Sequence, residues 1–322
     1  MNDNILVKTV DLTKSFPVRR GFFGQHHSRL VAVDRVNLFI RRGETLGLVG
    51  ESGCGKSTLA LTIMRLYEAT SGSILLNGKD ITRMDGEEMI KSRRQMQMIF
   101  QDPLASLDPR MTVEEIIREP LDIFQIGDPK TRSQEVDRLL NVTGMPSDAA
   151  LRLPTEFSGG QQQRIGIARA MALQPELLIC DEPVSALDVS VQSQILNLLR
   201  DLQDKFELSY LFISHNIAVT GFMSDRIGVM YLGKLVEMGP TKEIILEPRH
   251  PYTSALISAV PEPDPKIKSG KRTLSGDVPS PIERPSGCPF HPRCPLAQEI
   301  CTHDEPALRE LSPDHFAACH FA

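Results

Sequence analysis

Four short apolar runs punctuate the chain. Thr45–Val49 ends at Gly50, and Gln97–Phe100, Leu177–Cys180 and Tyr210–Ile213 repeat the pattern of a strand buried on both faces. Residues 5–12 and 30–40 carry β-branched and apolar positions in strand-like order. The basic, Gly-containing stretch Arg19–Arg29 between them reads as a solvated hairpin. Helical patterns follow two of the runs, at Ser57–Leu66 and Val191–Leu202. Residues 111–157 are mostly helical, with Val113, Ile116, Ile117, Leu139 and Leu140 at helical spacing. Strands alternating with helices predict a mostly parallel α/β sheet with a helical insertion in its middle. After Val260 the pattern changes. PEPDP, VPSPIERPSG and a run of cysteines leave few periodic positions, so residues 261–322 read as a separate, loop-rich appendage.

Composition narrows the classes. A chain of 322 residues suits about two domains, or one large domain with an appendage. With 41% hydrophobic and 24% charged residues, it has the balance of a globular protein rather than a disordered one. Aromatics are 5% and tryptophan is absent, which argues against a stacking platform for single-stranded nucleic acid. The net charge of −5 makes sequence-independent binding to nucleic acid a poor expectation. No apolar run approaches the ~18 residues of a membrane span. The N-terminal MNDNILVKTVDLTK lacks the basic and apolar regions of a secretory signal. The expectation is a soluble, cytoplasmic chain that another subunit holds at any membrane it serves. In that compartment the six cysteines are no disulfide framework.

Gly50, Glu51, Ser52, Gly53, Cys54, Gly55, Lys56 and Ser57 spell GESGCGKS between an apolar run and a helical pattern. That is the G-x-x-x-x-G-K-[ST] phosphate loop in its required context. Glycines let the backbone wrap phosphates, and the N–H groups of the helix start point at the anion. Lys56 neutralises β and γ oxygens of a bound triphosphate, while Ser57, with Thr58 beside it, offers a hydroxyl to Mg²⁺. Cys54 reads as a small tolerated residue. LLICDEP places two carboxylates at the end of a buried strand. Asp181 can hold Mg²⁺ through water, and Glu182 can polarise an attacking water.

FSGGQQQR decides among phosphate-loop families. Ser158 reads as a helix N-cap, with Gly159 and Gly160 exposing N–H groups at that helix start and Gln161 following. The motif resembles the signature of ABC-transporter ATPases, whose helix end serves ATP held by a second subunit. The resemblance extends to Gln101 in IFQDP (Q-loop), Asp188 in SALD (D-loop) and His215 in FISHN (switch histidine). It also covers Phe16 in KSFP, at the position of an adenine-stacking aromatic. Asn216 departs from the family's usual Asp. PVSALDVSVQSQILNLL, EPRHPYTSALISAVP and GCPFHPRCP narrow the likeness to ATP-binding subunits of oligopeptide and dipeptide importers over nearly the whole chain.

That resemblance implies an ABC-type α/β nucleotide-binding domain over residues 1–260, with an antiparallel N-terminal sheet and a helical subdomain around residues 105–170. A cysteine domain over 261–322 completes it. It implies ATP hydrolysis coupled to uptake of peptides or a related small solute, with Gln101 and His215 joining Glu182 at the reacting phosphate. The implied partners are two transmembrane permease subunits, a second ABC ATPase (commonly a different chain) and, indirectly, an extracytoplasmic solute-binding protein. The place of work is the cytoplasmic face of the membrane. A DNA-repair or chromosome-type ABC ATPase is the rival, but no long coiled coil interrupts residues 57–157. Intact Lys56, Asp181, Glu182 and His215 oppose a binding-only protein. Cys288, Cys294, Cys301 and Cys319 follow C-x₅-C, C-x₆-C and C-x₁₇-C spacings. Four thiolates in a segment too poor in apolar residues for its own core suggest a metal, either Zn²⁺ or an iron–sulfur cluster. The short knuckles of zinc modules are missing, and the resembled family implies a [4Fe–4S] cluster.

Overall fold

The computed structural model describes residues 4–20, 26–260, 276–277 and 279–322. Two compact units emerge: one gathers the chain up to Ile40 with Thr45–Arg83 and Phe212–Ala322, the other holds Arg41–Glu44 and Met84–Leu211. In the first unit β1 (Ile5–Arg20), β2 (His26–Arg41), β4 (Ser71–Leu76) and β5 (Lys79–Asp80) form a sheet in the order β2-β1-β4-β5. Its β1–β4 and β4–β5 pairings are antiparallel, as expected. β1 and β2 run longer than the sequence pattern predicts. Thr13, Lys14, Ser15, Phe16 and Ser28, among the added positions, are half-buried and mostly polar, and apolar runs do not report on a strand with one wet face. Residues 21–25 of the expected basic hairpin lie outside the described residues.

β3 (Thr45–Val49) is buried at every position, as its apolar run requires, and leads into α1 (Lys56–Ile63). The helix stops short of the expected Leu66 because Arg65 takes a left-handed conformation (φ 56°). The chain then builds the second unit: α2 (Gly86–Gln95), β6 (Met96–Ile99), α3 (Pro103–Ser106), α4 (Val113–Ile123) and α5 (Pro129–Val142). It continues with α6 (Gly159–Met171), β7 (Leu177–Asp181), α7 (Val189–Phe206) and β8 (Ser209–Ile213), which returns the chain to the first unit. β6 and β7 pair in parallel from Met96↔Leu177 to Ile99↔Cys180. The helical insertion has the predicted core: Val113, Ile116, Ile117, Leu139 and Leu140 are all buried. Thr112 opens α4 with a capping box, its hydroxyl accepting from the Glu115 N–H while Glu115 accepts from the Thr112 N–H.

Back in the first unit come α8 (Ile217–Met223), β9 (Arg226–Tyr231), β10 (Lys234–Pro240), α9 (Thr241–Leu246) and α10 (Pro251–Ser258). They are followed by α11 (Glu299–His303), β11 (Arg309–Ser312) and β12 (His315–Ala317). β3 pairs in parallel with β9, but β9–β10, β10–β12 and β12–β11 are antiparallel, so the sheet is mixed rather than mostly parallel here. The described part of the tail is not a separate appendage. Phe290, Cys288 and Cys301 share one buried cluster with Val49, Val229, Tyr231, Ile244 and Tyr252. The tail has too few apolar residues for a core of its own because it contributes them to this one. Buried His315 fastens β12, with Nε2 2.8 Å from Glu237 Oε1 and Nδ1 3.0 Å from Glu243 Oε2. Glu237 also accepts from the backbone N–H groups of Arg249 and His250, so its buried carboxylate is fully engaged.

Candidate functional site

β3 delivers the chain to Gly50, and the loop turns through Glu51 and Cys54 before α1 begins. Gly55 is the N-cap in a left-handed conformation (φ 107°), and no side chain caps the helix start. A Cβ at Gly55 would stand 2.1 Å from the Ala32 carbonyl oxygen, so only glycine fits. The turn after β9 also grips the loop, the Gly233 N–H donating to the Cys54 carbonyl at 2.7 Å. The Lys56 ammonium is buried inside the loop and donates to the Gly50 (2.8 Å) and Glu51 (3.1 Å) carbonyls. Ser52, Gly53 and Ser57 are exposed, and Thr58 is half-buried one residue into the helix. The result is a cradle of uncapped helix-start amides around a cation, which suits a polyphosphate. Burial pushes the Cys54 thiol up despite Lys56 nearby, so it is no activated thiolate.

His215 sits in the same unit, exposed on the turn after β8. The cap of α8 is made by its neighbour. Asn216 Oδ1 accepts from the Ala218 (3.0 Å) and Val219 (3.3 Å) N–H groups. An amide oxygen caps a helix as a carboxylate does, so Asn216 serves the start of α8 as an Asp would. Phe16 is half-buried and meets the partly exposed Tyr67 edge-on at 5.4 Å, with Lys14 Nζ 4.8 Å from its ring centroid. Tyr67 carried no sequence signal, because nothing in local spacing joins it to Phe16.

The second unit brings Gln101 and Glu182 together: Gln101 Nε2 donates to Glu182 Oε2 at 3.2 Å. Asp181 ends β7 and is buried, while Glu182 turns out of the strand at φ 47°. A non-glycine residue held there is a strained position of the kind that clusters at functional sites. Asp188 is the N-cap of α7. At the start of α6, Gln161 Oε1 accepts from the Ser158 N–H (3.0 Å) and hydroxyl (3.2 Å), with Ser158 and Gly159 exposed. Gly160 is not exposed as expected. It is buried under α7, where a Cβ would come 2.4 Å from Val191 Cγ1. Its smallness lets α6 and α7 approach. Arg169 Nη1 on α6 donates to the Ser106 carbonyl at 2.5 Å, tying the signature helix to the segment after Gln101.

Residues 33–185 match the family described as ABC transporter, and residues 236–301 match the oligopeptide/dipeptide transporter C-terminal region. The oligopeptide transport ATP-binding protein AppF of Bacillus subtilis (strain 168) is 49% identical over 322 residues, covering 99% of this chain and 98% of its own. The chain belongs to the ABC transporter ATP-binding proteins. A putative oligopeptide transport ATP-binding protein, YkfD, also of Bacillus subtilis (strain 168), is 51% identical to this ABC protein over 90% of the chain and 89% of its own. Among solved structures, the dimeric ATP-binding cassette MJ0796, in a post-hydrolysis state with ADP and phosphate, has a TM-score of 0.65 at 29% identity. It covers 73% of this chain and 99% of its own. The α/β fold and the ATPase activity of an ABC subunit thus stand for this chain, and no described helix is long and apolar enough to cross a membrane.

The tail of this ABC protein does not present the expected metal centre. Among the described residues no group of three or more Cys, His, Asp or Glu is arranged to hold a metal ion. Cys288 and Cys301 are buried, the N–H of one bonded to the carbonyl of the other at 2.9 Å. Burial first, and the neighbouring thiols Cys301, Cys294 and Cys319 besides, push the Cys288 thiol up to about 11. Burial raises Cys294 likewise, with Cys319 and Cys301 adding to it. The Cys288 and Cys294 sulfurs are thus near enough to Cys301 and Cys319 to feel them, and burial holds these two thiols toward the neutral form.

Proposed function

We propose that the chain is the ATP-hydrolysing subunit of a peptide importer. It would work at the cytoplasmic face of the membrane on two permease subunits, fed indirectly by an extracytoplasmic solute-binding protein. The observation that carries this reading is the buried Lys56 held by the loop carbonyls at an uncapped helix start. The relatives' names as oligopeptide transport proteins support the cargo. Gly50–Thr58 would hold the triphosphate, with Phe16 against adenine. Ser57, Gln101 and Asp181 would hold Mg²⁺, which when bound neutralises charge on the phosphate oxygens. Glu182 would take the proton of the attacking water as its oxygen bonds to the γ-phosphorus and the bond to the ADP oxygen breaks. Gln101 orients that carboxylate, and His215 contacts the γ-phosphate.

Ser158, Gly159, Gly160 and Gln161 would complete the site of a second ATPase subunit, which we take to be a different chain, with Asp188 at the same junction. The dimeric state of MJ0796 supports pairing. Ser158→Arg should then leave ATP binding by the isolated monomer unchanged and abolish turnover; lost monomer binding would contradict a site served in trans. Copurification of permease subunits from solubilised membranes tests the transport assignment, and their absence would favour a non-transport ABC ATPase. A [4Fe–4S] cluster on Cys288, Cys294, Cys301 and Cys319, with Zn²⁺ as the alternative, rests on their spacing and mutual proximity. Iron and zinc analysis of anaerobically purified protein decides it, about four iron atoms per chain marking the cluster.

A further inference from the structure

Glu51 carries the one carboxylate of the phosphate loop, GESGCGKS. An acidic side chain beside a polyphosphate cradle opposes its ligand unless something cancels the charge. Arg293, far along the tail, cancels it. Nη1 lies 2.7 Å from Glu51 Oε2 and Nη2 2.9 Å from Oε1, a two-pronged pair. The arginine side chain is 6% exposed and the carboxylate 27%, so solvent screens the pair little. The guanidinium lies beside Tyr231, its carbon 5.9 Å from the ring centroid. The Arg293 N–H donates to the Phe290 carbonyl at 3.0 Å.

The backbone of Glu51 is held from the same side. Its N–H donates to the Tyr252 hydroxyl at 2.9 Å. Tyr252 belongs to the HPYT stretch at the start of α10, where its own N–H donates to Nδ1 of buried His250. Burial alone drives the His250 pKa down to about 3, so its ring stays neutral and keeps that acceptor. Tyr252, Tyr231 and Phe290 pack against one another in tilted and edge-on pairs, with ring centroids 4.8–5.4 Å apart. Main chain and side chain of one loop residue are thus fixed by residues that make no part of the loop.

We infer that Arg293 is a positioning residue of the nucleotide site. It neutralises and anchors Glu51, so that Lys56 and the loop amides present an undiluted positive field to the phosphates. This rests on the reading of the loop as the ATP site. Removing one partner of a shielded charge pair leaves the other uncompensated. Arg293→Met should therefore turn Glu51 against the ligand in proportion to the ligand's charge.

The test titrates the full chain with Mg·ATP, ADP and AMP. Arg293→Met should bind ATP about ten-fold more weakly, ADP less affected and AMP least. Adding Glu51→Gln should recover most of the loss. Arg293→Lys, which keeps the charge but not the planar fork, should fall between. Glu51→Gln alone leaves Arg293 positive and should tighten ATP binding, a readout that stands even where Arg293→Met fails to fold. Equal ATP affinity in a folded Arg293→Met would overturn the inference. So would a loss independent of phosphate count, or weaker ATP binding by Glu51→Gln. Failure of the unaltered chain to bind ATP would instead sink the nucleotide reading itself.

Discussion

Glu182→Gln should slow ATP hydrolysis by about 10²–10⁴-fold, the usual worth of a positioned general base. The amide is nearly the same size and suits the strained backbone at φ 47° as well as the acid does. It also keeps an oxygen for the Gln101 amide to donate to, as it now does at 3.2 Å. What it loses is the capacity to accept the proton of the attacking water. ATP affinity should hardly change, because the loop that holds phosphates is untouched. A variant that binds but cannot discharge should collect as an ATP-bound dimer, visible as an earlier peak in gel filtration with Mg·ATP. Hydrolysis near the unaltered rate would remove Glu182 from the role of base and leave Gln101 without a carboxylate to orient.

Lys56→Ala should cost at least about a hundred-fold in ATP affinity, about 2.8 kcal/mol at about 1.4 kcal/mol per tenfold. The ammonium is buried and already committed to the Gly50 and Glu51 carbonyls, so its loss has two consequences. The phosphates lose their nearest cation, and two loop carbonyls lose a charged donor. Titration with a fluorescent ATP analogue reads the loss directly. Thermal melting gives a second view. A ligand at 100 times its Kd stabilises a folded protein by about 2.7 kcal/mol, so ATP should raise the melting temperature of the unaltered chain and leave that of the variant where it was. An intact ATP response in Lys56→Ala would place the phosphates elsewhere.

Most of this architecture was legible because its signals are local. The four apolar runs became β3, β6, β7 and β8 to within a residue or two, since strands buried on both faces need uninterrupted apolar sequence. The phosphate loop, the carboxylates after β7 and the FSGGQQQR stretch stand out in the sequence because each is a contiguous motif with its own chemistry. What escaped depends on contacts between residues far apart in the chain. Nothing near Arg293 announces Glu51, and nothing near Val191 announces that Gly160 lies beneath it. The tail misled in a particular way. Its apolar residues are scarce, but Phe290 and Cys288 are buried in a core built by β9, β10 and α10, so scarcity signals dependence on other elements rather than separateness.

The pairing of β12 with β10 also governs the order in which the protein can be made. The second unit, apart from Arg41–Glu44, is one continuous stretch from Met84 to Leu211, complete on the ribosome well before the tail is translated. The first unit must wait. Glu237 finds His315, and Glu51 finds Arg293, only after the tail that carries both has been translated. Until then β10 has an open edge, Glu237 is a carboxylate without its imidazole, and the aromatic pair Tyr231 and Tyr252 lacks Phe290. Such a nascent chain exposes the kind of unpaired strand and apolar surface that aggregates or recruits chaperones. Messages truncated after Ser258 should therefore yield a chain whose phosphate loop has been synthesised but lacks the contacts of Arg293 and Phe290 that secure it.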